Sequence, residues 1–138
     1  MNLKILISMV LSFLFSGCIY PVYRTLQPEL KIEFVDTGNS PVKDVIVHLG
    51  RVTYFEGGSF KEKIFKSNEI GIVEVDSIQK WGTDMLVPHG MTVFRWSLCI
   101  EKEGFLTVKT AWDIKESFQN KQKFILKKGH STLCRMKN

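Results

Sequence analysis

The feature that most constrains the fold of this chain is a strict alternation of apolar and polar residues in its second half. The apolar positions are Phe94, Trp96, Leu98 and Ile100, and the positions between them and after them are Arg95, Ser97, Cys99 and Glu101. Successive side chains of a strand point to opposite faces of a sheet, so this period of two predicts a half-buried strand. An amphipathic helix would require apolar residues every three or four positions instead.

Shorter stretches with the same period recur along the chain, and turn-forming sequences separate them. Each of these sequences contains a glycine, and the first two also contain asparagine: "DTGNSPV" (36–42), "SNEIG" (67–71) and "EKEGF" (101–105). Short strands with frequent turns and no long amphipathic helix predict an all-β sandwich. One helical turn is predicted at 113–119. The seven predicted strands lie near residues 30–34, 45–49, 60–66, 71–75, 94–100, 106–112 and 124–126.

The first eighteen residues predict export and lipid anchoring. Lys4 precedes an apolar run, residues 5–15, which is shorter than the roughly 20 residues that span a bilayer and matches a signal peptide. The quartet Phe15-Ser16-Gly17-Cys18 resembles the lipobox of bacterial lipoproteins, although that family prefers an aliphatic residue at the position of Phe15. The resemblance implies cleavage between Gly17 and Cys18 and acylation of the Cys18 thiol. An uncleaved anchor helix and a buried core helix are the alternatives.

The lipobox resemblance also implies a location and a division of the chain. We expect a protein of the bacterial cell envelope that is bound to the membrane through acyl chains, such as palmitate, on Cys18. Ile19 after the cysteine resembles the outer-membrane pattern of hosts with two membranes, which implies the periplasmic face. The expected parts are a signal peptide (1–17), a lipidated cysteine and tether (18–28), a β-sandwich (29–128) and a basic tail (129–138).

The two remaining cysteines form an even pair. In the oxidising compartment implied by export, Cys99 and Cys134 predict a disulfide that would connect the tail to the sheet. The alternative is two reduced thiols.

Positive charge is concentrated at the C-terminal end of a chain whose formal net charge is +5. A basic end on a membrane-bound protein predicts either contact with anionic lipid or a solvated strand face and tail. We expect no nucleic-acid partner, because the tail lacks interleaved aromatic residues and an exported protein rarely meets nucleic acid. From residue 121 onward there is no acidic residue, and the basic ones are Lys121, Lys123, Lys127, Lys128, Arg135 and Lys137.

Three stretches together resemble the carboxypeptidase regulatory-like domains, which have the transthyretin-like (prealbumin-like) fold. They are "VDTGNSPVKDVIVHL" (35–49), "SNEIGIVEV" (67–75) and "WSLCIEKEGF" (96–105). Their order matches an opening strand and turn, a second turn followed by an alternating strand, and a late hairpin. The resemblance implies seven strands in two sheets, and it implies a non-catalytic module rather than an enzyme.

The sequence contains no motif for catalysis, for a cofactor or for a metal. His48, His89 and His130 are not at metal-ligand spacing, and no Cys-x-x-Cys occurs, so only residues brought together by folding would form a metal site. Alternation with its neighbours places His48 on a sheet surface. The hydroxyisourate hydrolases also have the transthyretin shape, but the chain ends in "CRMKN" and lacks their C-terminal Tyr-Arg-Gly-Ser.

The connection at residues 77–90 is the best candidate for a binding loop. It contains Trp81, Met85, Leu86 and His89, and large apolar side chains are unfavourable in water unless something covers them. The alternative is that they cover an open end of the core. We therefore expect a non-catalytic binding or scaffolding module with an unidentified envelope protein as partner. A transthyretin-shaped hydrolase and an inhibitor or immunity lipoprotein are the alternatives.

Overall fold

A computed structural model describes residues 19–54, 59–85, 93–112 and 119–135. Within these ranges the chain is all-β, as predicted, and contains nine strands and no helix. None of the described residues therefore belongs to a helix long and apolar enough to cross a membrane. The strands are β1 (Ile19–Gln27), β2 (Leu30–Asp36), β3 (Ile46–Tyr54), β4 (Phe60–Lys66), β5 (Ile72–Val75), β6 (Ile78–Met85), β7 (Val93–Glu101), β8 (Val108–Trp112) and β9 (Lys121–Leu126).

The described strands form two larger sheets and a two-stranded ribbon. One sheet has the order β5-β2-β9 and the other has the order β4-β3-β7-β8, while β1 pairs only with β6. The β2–β9 pair is parallel, and all the other named strand pairs are antiparallel. Strand β2 therefore pairs on one side with the mid-chain strand β5 and on the other side with β9, near the C-terminus.

The hydrophobic core lies between the two larger sheets, which gives the fold a sandwich-like arrangement. The alternating residues of β2 and β7 contribute most of its large side chains, as the period of two predicted. Burial of each such aliphatic or aromatic side chain contributes roughly 1.5–3 kcal/mol to folding. The buried cluster contains Leu30, Ile32, Phe34, Val42, Val45, Val47, Leu49, Val73, Val75, Leu98, Ile100 and Leu126.

The two turns at 36–42 and 67–71 meet at the backbone of Phe34. The Phe34 N–H donates to the Gly71 carbonyl at 2.8 Å, and the Phe34 carbonyl accepts from Val42 N–H at 2.9 Å. Gly71 has a φ of +73°, and a Cβ at this position would lie 2.6 Å from the Phe34 carbonyl oxygen. Only glycine combines this backbone conformation with so close an approach. Each turn is closed by a side chain: Asp36 Oδ1 accepts from two backbone N–H groups, and so does Asn68 Oδ1.

The sequence pattern predicted seven strands, whereas the described residues contain nine. The seven predicted strands correspond to β2–β5 and β7–β9, and the two that were missed, β1 and β6, pair with each other. Neither has an alternating apolar pattern of its own. Pro21 lies within β1, which a two-stranded ribbon tolerates because both of its strands are edges. Residues 19–27, which the sequence assigned to the tether, thus form a strand that pairs with β6.

Several predictions fall outside the described residues. These are the signal peptide, cleavage between Gly17 and Cys18, acylation of Cys18, and all but the last residue of the predicted helical turn at 113–119. The division of the chain into a tether, a sandwich and a tail stays a prediction.

Candidate functional site

The ribbon presents two aromatic side chains to solvent on one face. Tyr23 of β1 is directly opposite Trp81 of β6 in the antiparallel register. Their ring centroids are 5.1 Å apart with the planes tilted by 49°, which is a favourable aromatic arrangement. Tyr23 is 55% exposed and Trp81 is 67% exposed. We call these two residues the aromatic pair.

The other face of the ribbon carries an ion pair that is largely buried. Arg24 and Asp84 contact each other there, and both side chains are mostly covered. The Arg24 guanidinium also donates to the carbonyl of Thr83 at 3.3 Å. Because the ion pair bridges β1 and β6, it stabilises the ribbon that positions the aromatic pair.

The base of the ribbon is hydrogen bonded to the rest of the fold. Gln27 Nε2 donates to the carbonyl of Asp76 at 2.6 Å, next to the start of β6. Arg51 of β3 donates from Nη1 to the carbonyl of Leu26 at 2.9 Å, and its partial burial lowers the pKa of its guanidinium below the ordinary value. A cavity of about 220 Å³ lies between the ribbon and the four-stranded sheet, with Leu26, Arg51 and Trp96 among its walls.

The structure describes part of the predicted binding loop, and this part is a strand. Trp81 lies on β6 and is exposed. Met85 is the last residue of β6, but its side chain lies outside the described residues, and so do Leu86 and His89. Trp81 was identified from the sequence, but its position beside Tyr23 was not predicted. Only the β1–β6 register brings the two together.

The predicted disulfide between Cys99 and Cys134 is present, with Cα atoms 5.8 Å apart. Cys99 points to the outer face of the four-stranded sheet, yet it is only 1% exposed. The C-terminal segment 129–135 contacts this part of the molecule through further bonds. Thr107 Oγ1 donates to the Thr132 carbonyl at 2.6 Å and accepts from the Thr132 N–H at 2.9 Å. The disulfide therefore attaches the tail to the sheet, as expected.

His48 lies between two carboxylates on this tail-covered face. Its Nδ1 is 2.7 Å from Glu62 Oε1, and its Nε2 is 3.5 Å from Glu101 Oε1. The other oxygen of Glu101, Oε2, accepts from the backbone N–H of Cys134 at 2.6 Å. We call His48, Glu62, Glu101 and Cys134 the histidine cluster. The His48 side chain is 11% exposed, so the predicted sheet-surface position is correct, but the surface is covered.

The histidine cluster was not predicted from the sequence, because its members are distant along the chain. The alternation of β7 placed Cys99 and Glu101 on one face, and the sequence alone shows this. What was lacking was the β3–β7 register, which sets His48 directly opposite Cys99 and Ile46 opposite Glu101. The β3–β4 register, which sets Gly50 opposite Glu62, was also unknown.

Comparison with family models, with curated proteins and with solved structures found no match to this chain. The resemblance to carboxypeptidase regulatory-like domains and to the lipobox therefore stays a prediction.

Proposed function

We propose that this protein is a small lipoprotein of the bacterial envelope and that its β-sandwich is a non-catalytic binding or scaffolding module. The aromatic pair is the surface through which it contacts an envelope protein. The observation that carries this proposal is the exposure of Tyr23 and Trp81 side by side on a ribbon outside the two core sheets.

The chemistry of the aromatic pair suits a protein contact. Tryptophan and tyrosine are enriched among the residues that contribute most to binding at protein interfaces. Each presents a large apolar area at a small cost in conformational entropy, because only two side-chain torsions are restricted. Since Tyr23 and Trp81 already contact each other, a partner would meet a surface that is ordered before binding.

The position of the aromatic pair in the chain connects it to the proposed anchor. Tyr23 follows Cys18 by five residues, which span at most about 18 Å of extended chain. Acyl chains on Cys18 would therefore keep the aromatic pair near the bilayer. The partner we propose is accordingly a protein at the membrane surface or embedded in it.

The arrangement of the strands supports a transthyretin-like interpretation of the sandwich. The two larger sheets contain three and four strands, which together equal the seven strands that the resemblance implies. The β1–β6 ribbon is then an addition to that fold. Because it lies outside the core sheets, its exposed face can vary for binding without disturbing the core.

The proposal is tested by crosslinking the full-length protein in intact envelope and recovering it with its partners. We expect one partner in stoichiometric amount, lost with Trp81→Ala or Tyr23→Ala and kept with the control Ile70→Ala. Ile70 is a suitable control because it is also apolar and is 62% exposed, but it lies in the turn before β5. Equal recovery of partners with all three variants would remove the aromatic pair from the proposal.

A photo-reactive benzoylphenylalanine at position 81 distinguishes the two surfaces that could cover the aromatic pair. A crosslink to a protein supports the proposal, and crosslinks to lipid alone contradict it. Labelling with palmitate tests the anchor separately: label is expected on the wild type and not on Cys18→Ala. Turnover of hydroxyisourate by the purified chain would favour the hydrolase alternative.

A further inference from the structure

We propose that the histidine cluster is a binding site for a divalent ion of the zinc class, and that the disulfide controls it. In the oxidised protein Cys134 is bonded to Cys99. In the reduced protein its thiolate joins His48 and Glu101 as the third protein ligand. This inference is independent of the aromatic pair and of lipid anchoring.

The geometry of the three donor groups suits a tetrahedral ion. Donor atoms of His48, Glu101 and Cys134 all lie within 4.8 Å of one another. In a tetrahedral zinc site with Zn–N and Zn–O bonds near 2.05 Å, the nitrogen and oxygen ligands are about 3.3 Å apart. The corresponding separation between His48 Nε2 and Glu101 Oε1 is 3.5 Å. Imidazole, carboxylate and thiolate are all established ligands of zinc.

The hydrogen bonding of His48 directs one nitrogen toward the site. A neutral imidazole that donates its Nδ1–H to Glu62, 2.7 Å away, has its lone pair on Nε2. Nε2 is buried and makes no hydrogen bond, and it faces the Glu101 carboxylate. In this tautomer two acceptors face each other, which is unfavourable, and a cation between them removes that cost. A carboxylate on the distal imidazole nitrogen is also the usual support of a zinc-bound histidine.

A surface opening adjoins the histidine cluster at Glu101. A surface cavity of about 500 Å³ has Glu101, Ser131 and Leu133 among its walls. Lys66, at the same cavity, pairs with Asp44 at 2.8 Å. Its charge is therefore partly compensated there.

Reduction of the disulfide is the chemical step that completes the site. A dithiol reductant transfers two electrons and two protons, which gives thiols at Cys99 and Cys134 and leaves the reductant as a disulfide. The Cys134 thiol then loses its proton as its sulfur binds the ion, and water takes the fourth position. Disulfide formation and ion binding therefore exclude each other at Cys134. Either state attaches the tail to the outer face of the sheet.

Cobalt(II) is the probe for the test. A bond from thiolate sulfur to cobalt gives a charge-transfer absorption, which sites with only oxygen or nitrogen ligands lack. The full-length chain in detergent is titrated with cobalt in three forms: oxidised wild type, wild type reduced with a phosphine, and Cys99→Ser. The last form carries a free Cys134 thiol without any reductant. We expect the absorption in the reduced and the Cys99→Ser proteins, and at least tenfold weaker binding in the oxidised protein.

Variants in the Cys99→Ser background assign the ligands. His48→Gln and Glu101→Gln are expected to abolish the absorption, while the control His130→Gln, which changes an exposed histidine of the tail, retains it. Glu62→Gln is expected to weaken cobalt binding by about 10- to 100-fold, as for other supporting residues of metal ligands, and to keep the shape of the spectrum.

The proposal is overturned if neither the reduced nor the Cys99→Ser protein shows the absorption, or if His48→Gln retains it. It is also overturned if the oxidised protein binds cobalt as tightly as the reduced one. Circular dichroism is recorded for each form. If Cys99→Ser is unfolded, the reduced wild type decides the question. If that form is unfolded too, the reduced site does not exist and the proposal is wrong.

Discussion

Replacing Cys134 with alanine is expected to lower the free energy of unfolding by about 4 kcal/mol. The disulfide joins residues separated by 35 positions. In the chain-entropy model a loop of that length removes about 12.7 cal/mol/K from the unfolded chain, or about 3.8 kcal/mol at 25 °C. Cys134 is the better residue to change, because it is partly exposed and alanine loses little packing there. Cys99 is 1% exposed, so its replacement would add the cost of a cavity.

The assay is urea unfolding of the purified chain in the presence of a chelator, so that no bound ion contributes. The denaturation midpoint is expected to fall, and the slope m is expected to rise, because an unfolded chain without the cross-link exposes more surface. Reduction of the wild type with a phosphine is the matched control. It should reproduce the loss, and the same treatment of Cys134→Ala should change nothing.

Two results would refute this reasoning. A loss below about 1 kcal/mol with an unchanged m would mean that the cross-link does not restrict the unfolded chain as the entropy model requires. A further loss on treating Cys134→Ala with reductant would mean that another reducible bond contributes to stability.

Three further predictions concern turns and an ion pair of the described fold. Gly71→Ala is expected to lower the free energy of unfolding by at least about 2 kcal/mol, and Gly104→Ala by about 1 kcal/mol. Both glycines have positive φ, but only at Gly71 would a Cβ lie 2.6 Å from a backbone atom. Equal urea midpoints for the two variants would contradict this. Ser67→Ala is expected to lower the free energy of unfolding by about 1–3 kcal/mol. The buried Ser67 hydroxyl accepts from one backbone N–H at 2.9 Å and donates to one carbonyl at 3.1 Å. A urea midpoint like that of the wild type would contradict this prediction. A hydrogen bond from Lys66 holds the pKa of Asp44 below its ordinary value. At a pH above that ordinary value their pairing therefore stabilises the fold, and the stabilisation is lost as the pH falls through the lowered pKa. The stability difference between wild type and Asp44→Asn should therefore shrink on acidification, and a difference independent of pH in urea titrations would exclude this role.

The strands of the two larger sheets were predictable because their signals are local. Alternation along β2 and β7 needs only neighbouring residues to assign an inner and an outer face, and the turns before β3 and β5 are encoded by Asp36, Asn68 and Gly71. The same alternation placed Cys99 on the outer face, where the disulfide to Cys134 confirmed it.

The two candidate sites were predictable only in part, because strand register depends on residues far apart in the chain. Tyr23 and Trp81 become neighbours only through the β1–β6 pairing, and neither strand has an apolar pattern that would reveal it. His48, Glu62 and Glu101 converge only through the registers of β3 with β4 and β7. The sequence by itself thus determined the strands of the two larger sheets and the face that each of their residues presents. The tertiary structure decided which of these residues become neighbours. Backbone hydrogen bonds between strands are the same whatever the side chains, so the register follows from the packing of the whole core.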